Sequence, residues 1–278
     1  MNGIRGNPGQ NYRKYKRVPG FFRHAACTHA NVYTHHGSTV SYGDTMPEER
    51  EVSVLVGGRA GDGINNAGAL VARLLSRLGY RIYLYFDYPS LIRGGHNFAV
   101  VRAASRDVGT CREKVDFVLA LNQETLTRHR GMFHEGTAVL FNADVVKSEG
   151  QGIPVRQILA AEQAPEIMGN SVMIGGFAKA AGIPWDLVED VFRAVLPKGT
   201  DLNLKVARRA YDQLAVARAI PERGDPPLPL LTGNEAIGLG LIRGGLDAYI
   251  SYPMTPSSSL LHFLAGEKEK FGITVVHP

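Results

Sequence analysis

The sequence has little cysteine and no long apolar run. It contains two cysteines in 278 residues, Cys27 and Cys111, so this chain alone cannot supply the four thiolates of a [4Fe–4S] cluster. The two residues are also too far apart for a C-x-x-C site, and so few cysteines are typical of a reducing cytoplasm. No apolar run reaches the length that spans a bilayer. The sequence therefore predicts a cytoplasmic protein without a membrane partner and without a cluster of its own.

Positive charge is concentrated in the first residues of the chain. The formal net charge is +5, and residues 1–45 hold six Lys or Arg against one Asp, so residues 46–278 sum to zero. A basic tail differs from the folded basic face that binds nucleic acid, so no nucleic-acid partner is predicted. Residues 1–49 also lack helical or strand periodicity and are predicted to be a disordered basic extension. Met46 opens the segment MPEEREVSVLVGG and is an alternative start of the protein.

Short apolar segments alternate with segments of helical periodicity, which predicts an α/β fold. A strand (51–58), a helix that ends at Gly79 (64–79) and a second strand (81–88) predict a β-α-β unit of a parallel sheet with a right-handed crossover. Further strands are predicted over 97–103, 115–122 and 136–143, and further helices over 155–164, 170–182, 184–197 and 201–219. Asn170 is of a residue type that favours the N-cap of its helix.

A proline-rich segment follows the last of these helices and marks a predicted domain boundary. Residues 220–231 contain four prolines and are predicted to be a stiff, extended linker. The linker separates a first domain, 50–219, from a second, 232–278, whose Thr232 and Glu235 have the spacing of a capping box. The second domain is predicted to contain strand, helix and strand after its first helix. Its residues are too few to close a doubly wound sheet, so the domain is expected to be incomplete.

The segment GGRAGDG (57–63) is a glycine-rich turn between the first strand and the first helix. Such a turn lets backbone N–H groups approach an anion at the N-terminus of the helix. The glycine spacing of a dinucleotide fold and the Gly-Lys-Ser/Thr of a P-loop are both missing, which disfavours an NAD or P-loop site. Tight packing of the strand against the helix explains the same glycines, so both interpretations stay open.

Two further segments place polar side chains beside glycines or at the start of a helix, where they could bind a ligand. In DYPSLIRGGHN (87–97), Arg93 and His96 flank two glycines and could bind an anion, or Arg93 could form an ordinary ion pair. In YPMTPSS (252–258), a strand leads to a helix predicted to begin with Thr255 as N-cap and Pro256 as its first residue. Hydroxyl groups at a helix N-terminus suit a bound carboxylate. The same groups could merely cap the helix.

These segments together resemble one family. GGRAGDG, DYPSLIRGGHN and MGNSVMIGGFAKAAG resemble the gamma domain of 2-oxoacid:ferredoxin oxidoreductases, and GNEAIGLGLIRGGLDAYISYPMTPSSSLLHFLA resembles the start of their alpha domain. Their order is that of the fused alpha subunit of two-subunit enzymes of the 2-oxoglutarate type. The resemblance covers residues 50–278. It implies a gamma domain with a mainly parallel sheet flanked by helices, followed by the start of a thiamine-diphosphate, pyrimidine-binding α/β domain.

The resemblance also implies a reaction and its participants. The family decarboxylates a 2-oxoacid oxidatively to an acyl-CoA and passes electrons to ferredoxin. 2-Oxoglutarate is the first choice of substrate here, and pyruvate and branched-chain oxoacids are the alternatives. Thiamine diphosphate with Mg²⁺ would be shared with a beta subunit, the [4Fe–4S] cluster would lie on that partner, and coenzyme A would be a substrate. The protein is therefore expected to be part of a hetero-oligomer.

The family's functional residues can be carried over onto two of the matching segments. Thr255, with Tyr252 and Ser257, is implied to contact the substrate, and the residues implied to bind coenzyme A are Gly58, Gly61, Gly63, Arg93 and Gly95. The family's glutamate that protonates the thiamine pyrimidine follows a strand like TVVHP, and the sequence ends at Pro278. No catalytic residue is therefore assigned, and we expect a fragment of a longer subunit, inactive alone, or a truncated product.

Two other functions are compatible with the same residues. One is a stand-alone nucleotide- or CoA-binding module in which GGRAGDG holds a phosphate group. The other is a non-catalytic module that contacts a partner subunit. Binding of CoA, NAD or ATP without a partner would favour the first, and stable assembly without turnover would favour the second.

Overall fold

A six-stranded mixed sheet organises the chain in the computed structural model, which describes residues 50–87, 95–196 and 199–278. Its strands are β1 (Glu51–Arg59), β2 (Arg81–Asp87), β3 (His96–Ala104), β4 (Phe117–Ala120), β5 (Ala138–Asn142) and β6 (Gln151–Ile153). Their order is β2-β3-β1-β4-β5-β6. Strands β1, β4, β5 and β6 are parallel, whereas β3 is antiparallel to both β1 and β2. Two shorter strands, β7 (Ala248–Ile250) and β8 (Thr274–Val276), form a separate parallel pair.

Helices connect and cover these strands. The described helices are α1 (Ile64–Arg77), α2 (Gln123–Arg128), α3 (Val155–Ala161), α4 (Gly169–Ala180), α5 (Trp185–Val195), α6 (Thr200–Gln213), α7 (Gly233–Arg243) and α8 (Ser258–Phe271). Short 3₁₀ turns occupy Arg130–Met132 and Glu166–Met168. In the described part of the chain, no helix combines the length and the apolar character needed to cross a membrane.

Both faces of the sheet are buried, which explains the continuous apolar run of β1. Val54 and Val56 point into a large apolar cluster with α1, α4 and α6, while Leu55 points into a smaller cluster on the opposite face. Side chains alternate between the two faces of a strand, so a strand covered on both faces needs apolar residues at successive positions. Burying each such side chain contributes about 1.5–3 kcal/mol. The predicted sheet flanked by helices is confirmed.

Helices α4 and α6 approach each other at a glycine. A methyl group added at Gly175 would lie 2.0 Å from the Ala207 carbonyl oxygen, so only glycine fits between the two backbones. Phe177, two residues along α4, packs edge to face on Phe117 of β4, with 5.4 Å between ring centroids. These two contacts fix α4 between α6 and the sheet.

The predicted β-α-β unit differs from the structure in one respect. β1 and β2 run in the same direction, as predicted, but β3 lies between them and pairs with both. Strand β2 is therefore an edge strand, which explains why its side chains are less buried than those of β1. Helix α2 and strand β6 were not predicted, because six and three residues are too short for a clear period.

The proline-rich segment contains no helix or strand, and hydrogen bonds fasten it to the end of the first helix. Ser76 Oγ donates a hydrogen bond to the Leu228 carbonyl (3.3 Å), and the Tyr80 hydroxyl donates to the Pro221 carbonyl (3.0 Å). The backbone N–H of Arg223 donates to the Leu78 carbonyl (2.9 Å). The helix predicted over 201–219 ends earlier, at Gln213.

Residues 232–278 have a small apolar cluster of their own. Leu260, Leu264 and Ile273 are buried there, apart from the two clusters of the large sheet. The predicted capping box is confirmed: Thr232 Oγ1 accepts from the Glu235 N–H (3.2 Å), and Glu235 Oε2 accepts from the Thr232 N–H (2.7 Å). The bounds of the predicted domains stay predictions, and the predicted extension, 1–49, lies outside the described residues.

Candidate functional site

The turn 57–63 follows β1 at its carboxyl end and leads into α1. Gly61 and Gly63 have φ angles of 102° and 71°, a left-handed backbone that favours glycine. Gly58 is limited by space instead, because an added methyl group would lie 2.9 Å from Asp62 Oδ2. The turn therefore needs its glycines for its shape and for its packing.

Two side chains fasten this turn from different directions. The Asp62 carboxylate folds back and accepts the backbone N–H of Arg59 at 2.7 Å. The Asn170 amide, from the first turn of α4, donates to the carbonyls of Asp62 (2.8 Å) and Gly63 (3.3 Å). The prediction of Asn170 as an N-cap is wrong, because α4 begins at Gly169 and the amide crosses to the turn. No local sequence pattern indicated this long-range role.

The turn also contacts the second sequence motif. The Ala60 N–H donates to the Gly95 carbonyl at 2.7 Å, which brings Gly95 beside the turn. Arg93, also predicted in this motif, lies outside the described residues.

His96 does not serve as the predicted anion-binding group. Its side chain is buried, and its Nε2 lies 2.9 Å from Nε2 of His129, which is also buried. Burial lowers the pKa of both imidazoles; the neighbouring His96 and Arg128 lower that of His129 further, to about 4. The two buried rings pack beside Phe98, so their contacts within the fold disfavour the anion role predicted for His96.

A cleft of about 360 Å³ opens at the carboxyl ends of three parallel strands. Arg59 of β1, Asn122 after β4 and Asn142 of β5 line it, and the residues that line it from the helical side include Asn170. Ligands of α/β proteins bind at this edge of the sheet, where strands end and helices begin. The turn 57–63 reaches the cleft through Arg59 and Asp62.

The lining of the cleft combines charge with apolar surface. Its charged residues are Arg59, Asp62, Asp144, Arg156 and Glu166. Val145 and Ile167, the apolar rim, also line the cleft and are 46% and 86% exposed. The cleft therefore combines two guanidinium groups and three carboxylates with apolar surface.

The loop 252–257 follows β7 and precedes α8. Tyr252 is 68% exposed, Thr255 is exposed and Ser257 is half-buried. Asn234, from the first turn of α7, donates to the Pro256 carbonyl at 3.2 Å and so holds the loop from one side. The three predicted substrate-contacting residues thus lie together on one exposed loop.

The predicted start of α8 is wrong by two residues. The helix begins at Ser258 rather than at Pro256, and Ser257 rather than Thr255 is its N-cap residue. The reason is a turn in which the N–H groups of Ser257 and Ser258 both donate to the Met254 carbonyl (2.9 and 3.1 Å). Ser257 Oγ donates to the same carbonyl (2.8 Å), so it does not cap the helix. Thr255 is thereby left in the loop.

Comparison with known proteins places this architecture in a family. The family described as pyruvate ferredoxin/flavodoxin oxidoreductase matches residues 53–213. The "2-oxoacid:ferredoxin oxidoreductase 2, subunit alpha" of Aeropyrum pernix is 24% identical over 75% of this chain and 42% of its own length. The chain thus spans less than half the length of this curated relative.

Solved structures share the fold. The 2-oxoglutarate:ferredoxin oxidoreductase from Magnetococcus marinus, with 2-oxoglutarate, coenzyme A and succinyl-CoA bound, matches 82% of this chain and 43% of its own, with a TM-score of 0.71 and 24% identity. The gamma subunit of keto/oxoacid ferredoxin oxidoreductase from Geobacter sulfurreducens PCA matches 59% of this chain and 96% of its own, with a TM-score of 0.51 and 21% identity.

These findings confirm the family resemblance and the α/β class that the motifs predicted. Because the family match extends over more than half of the sequence, the chain belongs to the pyruvate ferredoxin/flavodoxin oxidoreductase family.

Proposed function

We propose that the chain is part of the alpha subunit of a 2-oxoacid:ferredoxin oxidoreductase. The reaction is the oxidative decarboxylation of a 2-oxoacid, 2-oxoglutarate in our proposal, to an acyl-CoA, with electrons passing to ferredoxin. Membership of the family supports this function, as does the order of the two loops along the sequence. The observation that carries it is the cleft at the carboxyl ends of β1, β4 and β5, which offers an anion-binding turn next to apolar surface.

Coenzyme A is the ligand that we assign to this cleft. Its phosphates would lie near Arg59 and Arg156 and toward the N-terminus of α1. Gly58 and Gly95 support the turn, and Arg93, outside the described residues, stays a predicted contact. The apolar rim would contact the uncharged parts of the molecule.

The 2-oxoacid is the ligand that we assign to the loop 252–257. Thr255 would donate a hydrogen bond to the carboxylate or the carbonyl of the oxoacid, with Tyr252 and Ser257 beside it. Their exposure leaves these groups accessible to a ligand, and the N-terminus of α8 carries partial positive charge toward a carboxylate.

The cofactors divide between this chain and a beta subunit in our proposal. When bound, thiamine diphosphate supplies the stabilised carbanion that decarboxylation needs. Within the described ranges, no group of three or more His, Cys, Asp or Glu could hold a metal ion, and a partner subunit would supply the ligands of Mg²⁺ in this proposal. Two cysteines do not fit a [4Fe–4S] cluster either. We therefore propose that thiamine diphosphate with Mg²⁺ is shared with the beta subunit of a cytoplasmic hetero-oligomer, and that the [4Fe–4S] cluster lies on that subunit.

Viologen reduction that depends on the oxoacid tests this function. The assay uses the complete subunit with its beta partner, thiamine diphosphate and CoA. We expect Thr255→Ala to lower kcat/KM for the oxoacid about 10- to 100-fold, because a ligand group would lose its hydrogen-bond donor. Thr127→Ala, an exposed hydroxyl on α2, is the matched control and keeps full activity. Full activity of Thr255→Ala, with assembly intact, would exclude the substrate role.

A second candidate function is a CoA- or nucleotide-binding module that acts without turnover. It is favoured by the fact that residues 59–173 alone line the cleft. Calorimetric titration of this chain with CoA, NAD and ATP separates the two functions. Tight binding of one of these ligands, combined with assembly with a beta subunit that gives no viologen reduction, would favour the module.

A further inference from the structure

We propose that Asp62 and Ile167 determine which ligands the cleft accepts. Asp62 is an internal anion that a ligand phosphate must displace, and Ile167 supplies the apolar contact that makes displacement favourable. The cleft then selects phosphates joined to an apolar group over free inorganic phosphates. This inference rests on the proposed assignment of coenzyme A to the cleft.

The Asp62 carboxylate already occupies the anion position of the turn. Its Oδ2 accepts the N–H of Arg59 at 2.7 Å, at the point where β1 ends and the cleft begins. A phosphate that used this donor would have to replace the carboxylate. The two anions exclude each other by competition for one N–H and by charge repulsion.

The carboxylate is able to leave without collapse of the turn. Asn170 holds the backbone carbonyls of Asp62 and Gly63 independently of the Asp62 side chain. A methyl group placed on the neighbouring Gly61 would meet no atom within 4 Å, so there is open space beside the turn. The backbone shape of the turn therefore does not depend on the position of the Asp62 carboxylate.

The charges of the cleft disfavour a free anion. The carboxylates of Asp62, Asp144 and Glu166 outnumber the guanidinium groups of Arg59 and Arg156 in the described lining. Asp144 is engaged in the fold, because its Oδ2 accepts the Arg156 N–H at 2.8 Å. Asp62 is thus the carboxylate that a bound phosphate would replace.

The apolar rim provides binding energy that a free phosphate cannot use. Ile167 is 86% exposed on the 3₁₀ turn before α4, and Val145 is 46% exposed after β5. Both side chains line the same cleft as Asp62. A ligand that covers Ile167 removes apolar surface from water, which offsets the displacement of the carboxylate.

Calorimetric titration of the full chain with CoA and with inorganic pyrophosphate tests the proposal. Asp62→Asn keeps an acceptor oxygen for the Arg59 N–H and removes the charge, so both ligands should bind about fivefold more tightly. Ile167→Ser should weaken CoA about tenfold and leave pyrophosphate unchanged. Asp212→Asn, an exposed carboxylate on α6, is the control and should change neither affinity.

The outcomes separate this inference from the CoA assignment. Unchanged affinities in Asp62→Asn, or an equal loss of both ligands in Ile167→Ser, would overturn the inference while CoA binding stands. If CoA does not bind but Asp62→Asn gains pyrophosphate, Asp62 acts as the internal anion and the CoA assignment is wrong. If neither CoA nor pyrophosphate binds to the unchanged protein or to Asp62→Asn, both the CoA assignment and the role of Asp62 are wrong.

Discussion

The two candidate loops are held in different ways. The turn 57–63 is fixed by Asn170, more than one hundred positions away along the chain, and by the Gly95 carbonyl. The loop 252–257 is fixed by Asn234, 22 residues away, and by hydrogen bonds within itself. Long-range contacts tie the shape of the first loop to the stability of the core. Changes in the first region should therefore alter stability and binding together, and changes in the second should alter activity with little loss of stability.

The largest expected effect concerns the packing behind the first loop. Gly175→Ala would place a methyl group 2.0 Å from the Ala207 carbonyl oxygen, so α4 must move away from α6. We expect a loss of about 3 kcal/mol in the free energy of unfolding, measured by urea denaturation. Because α4 carries Asn170, the CoA binding that we propose should also weaken in the same variant.

A helical glycine in the second region is the control. At Gly240 of α7 an added methyl group would meet no atom within 4 Å. Gly240→Ala should stabilise the protein by about 0.5–1 kcal/mol, the difference in helix propensity. Similar losses in both variants would contradict the contrast between the two regions.

The buried histidine pair makes the first region sensitive to acid. The pKa of His129 falls from 6.5 to about 4, mainly through burial, so the unfolded chain binds the proton more readily than the folded one. The contribution of His129 is therefore constant above pH 6.5 and lowers stability as the pH falls from 6.5 to 4, by about 3 kcal/mol in total. Urea midpoints measured across this pH range test the expected decrease.

Variants at two histidines identify the origin of this effect. His129→Gln keeps a polar partner for His96 and removes one of the two titrating groups, so it should make the decrease below pH 6.5 smaller. His262→Gln, at an exposed position of α8, should leave the decrease as it is. An unchanged pH profile in His129→Gln would exclude this residue as the cause.

Removing one amide from each region compares the two loops directly. Asn170→Ala leaves two turn carbonyls without their donor in a partly buried site, and we expect a loss of about 1–2 kcal/mol. Asn234→Ala removes a bond at the surface and should cost less than about 0.5 kcal/mol. The measurement is the urea midpoint of each variant, and equal losses would show that the two loops are held alike.

The sequence predicted features that depend on local patterns. The Thr232–Glu235 capping box, the glycines of the 57–63 turn and the alternation of strands and helices each follow from neighbouring residues. Tertiary contacts were not predictable in this way. The position of β3 between β1 and β2 depends on which strands pair in the folded sheet, and neighbouring residues do not determine that pairing.

The residues of the candidate sites show the same division. Asn170 has the residue type of an N-cap, and its actual partner lies 108 positions away. The prediction of Thr255 as N-cap was wrong because the Met254 carbonyl accepts the N–H groups of Ser257 and Ser258. Both the predicted cap and the observed turn use neighbouring residues, so local pattern alone does not separate them. Residue types at a helix start therefore indicate that polar contacts occur, and the fold decides which group each side chain reaches.

The smallest expected effect on stability belongs to the second loop. Ser257 Oγ donates to the Met254 carbonyl at the surface, where water can replace the hydroxyl. Ser257→Ala should therefore change the free energy of unfolding by less than about 0.5 kcal/mol in a urea titration. In the complete enzyme the same variant should raise KM for the oxoacid, because the proposed substrate contact is lost. A loss of stability as large as that of Asn170→Ala would mean that this serine maintains the fold. The contrast between the two loops would then fail, because the loop 252–257 could not change without loss of stability.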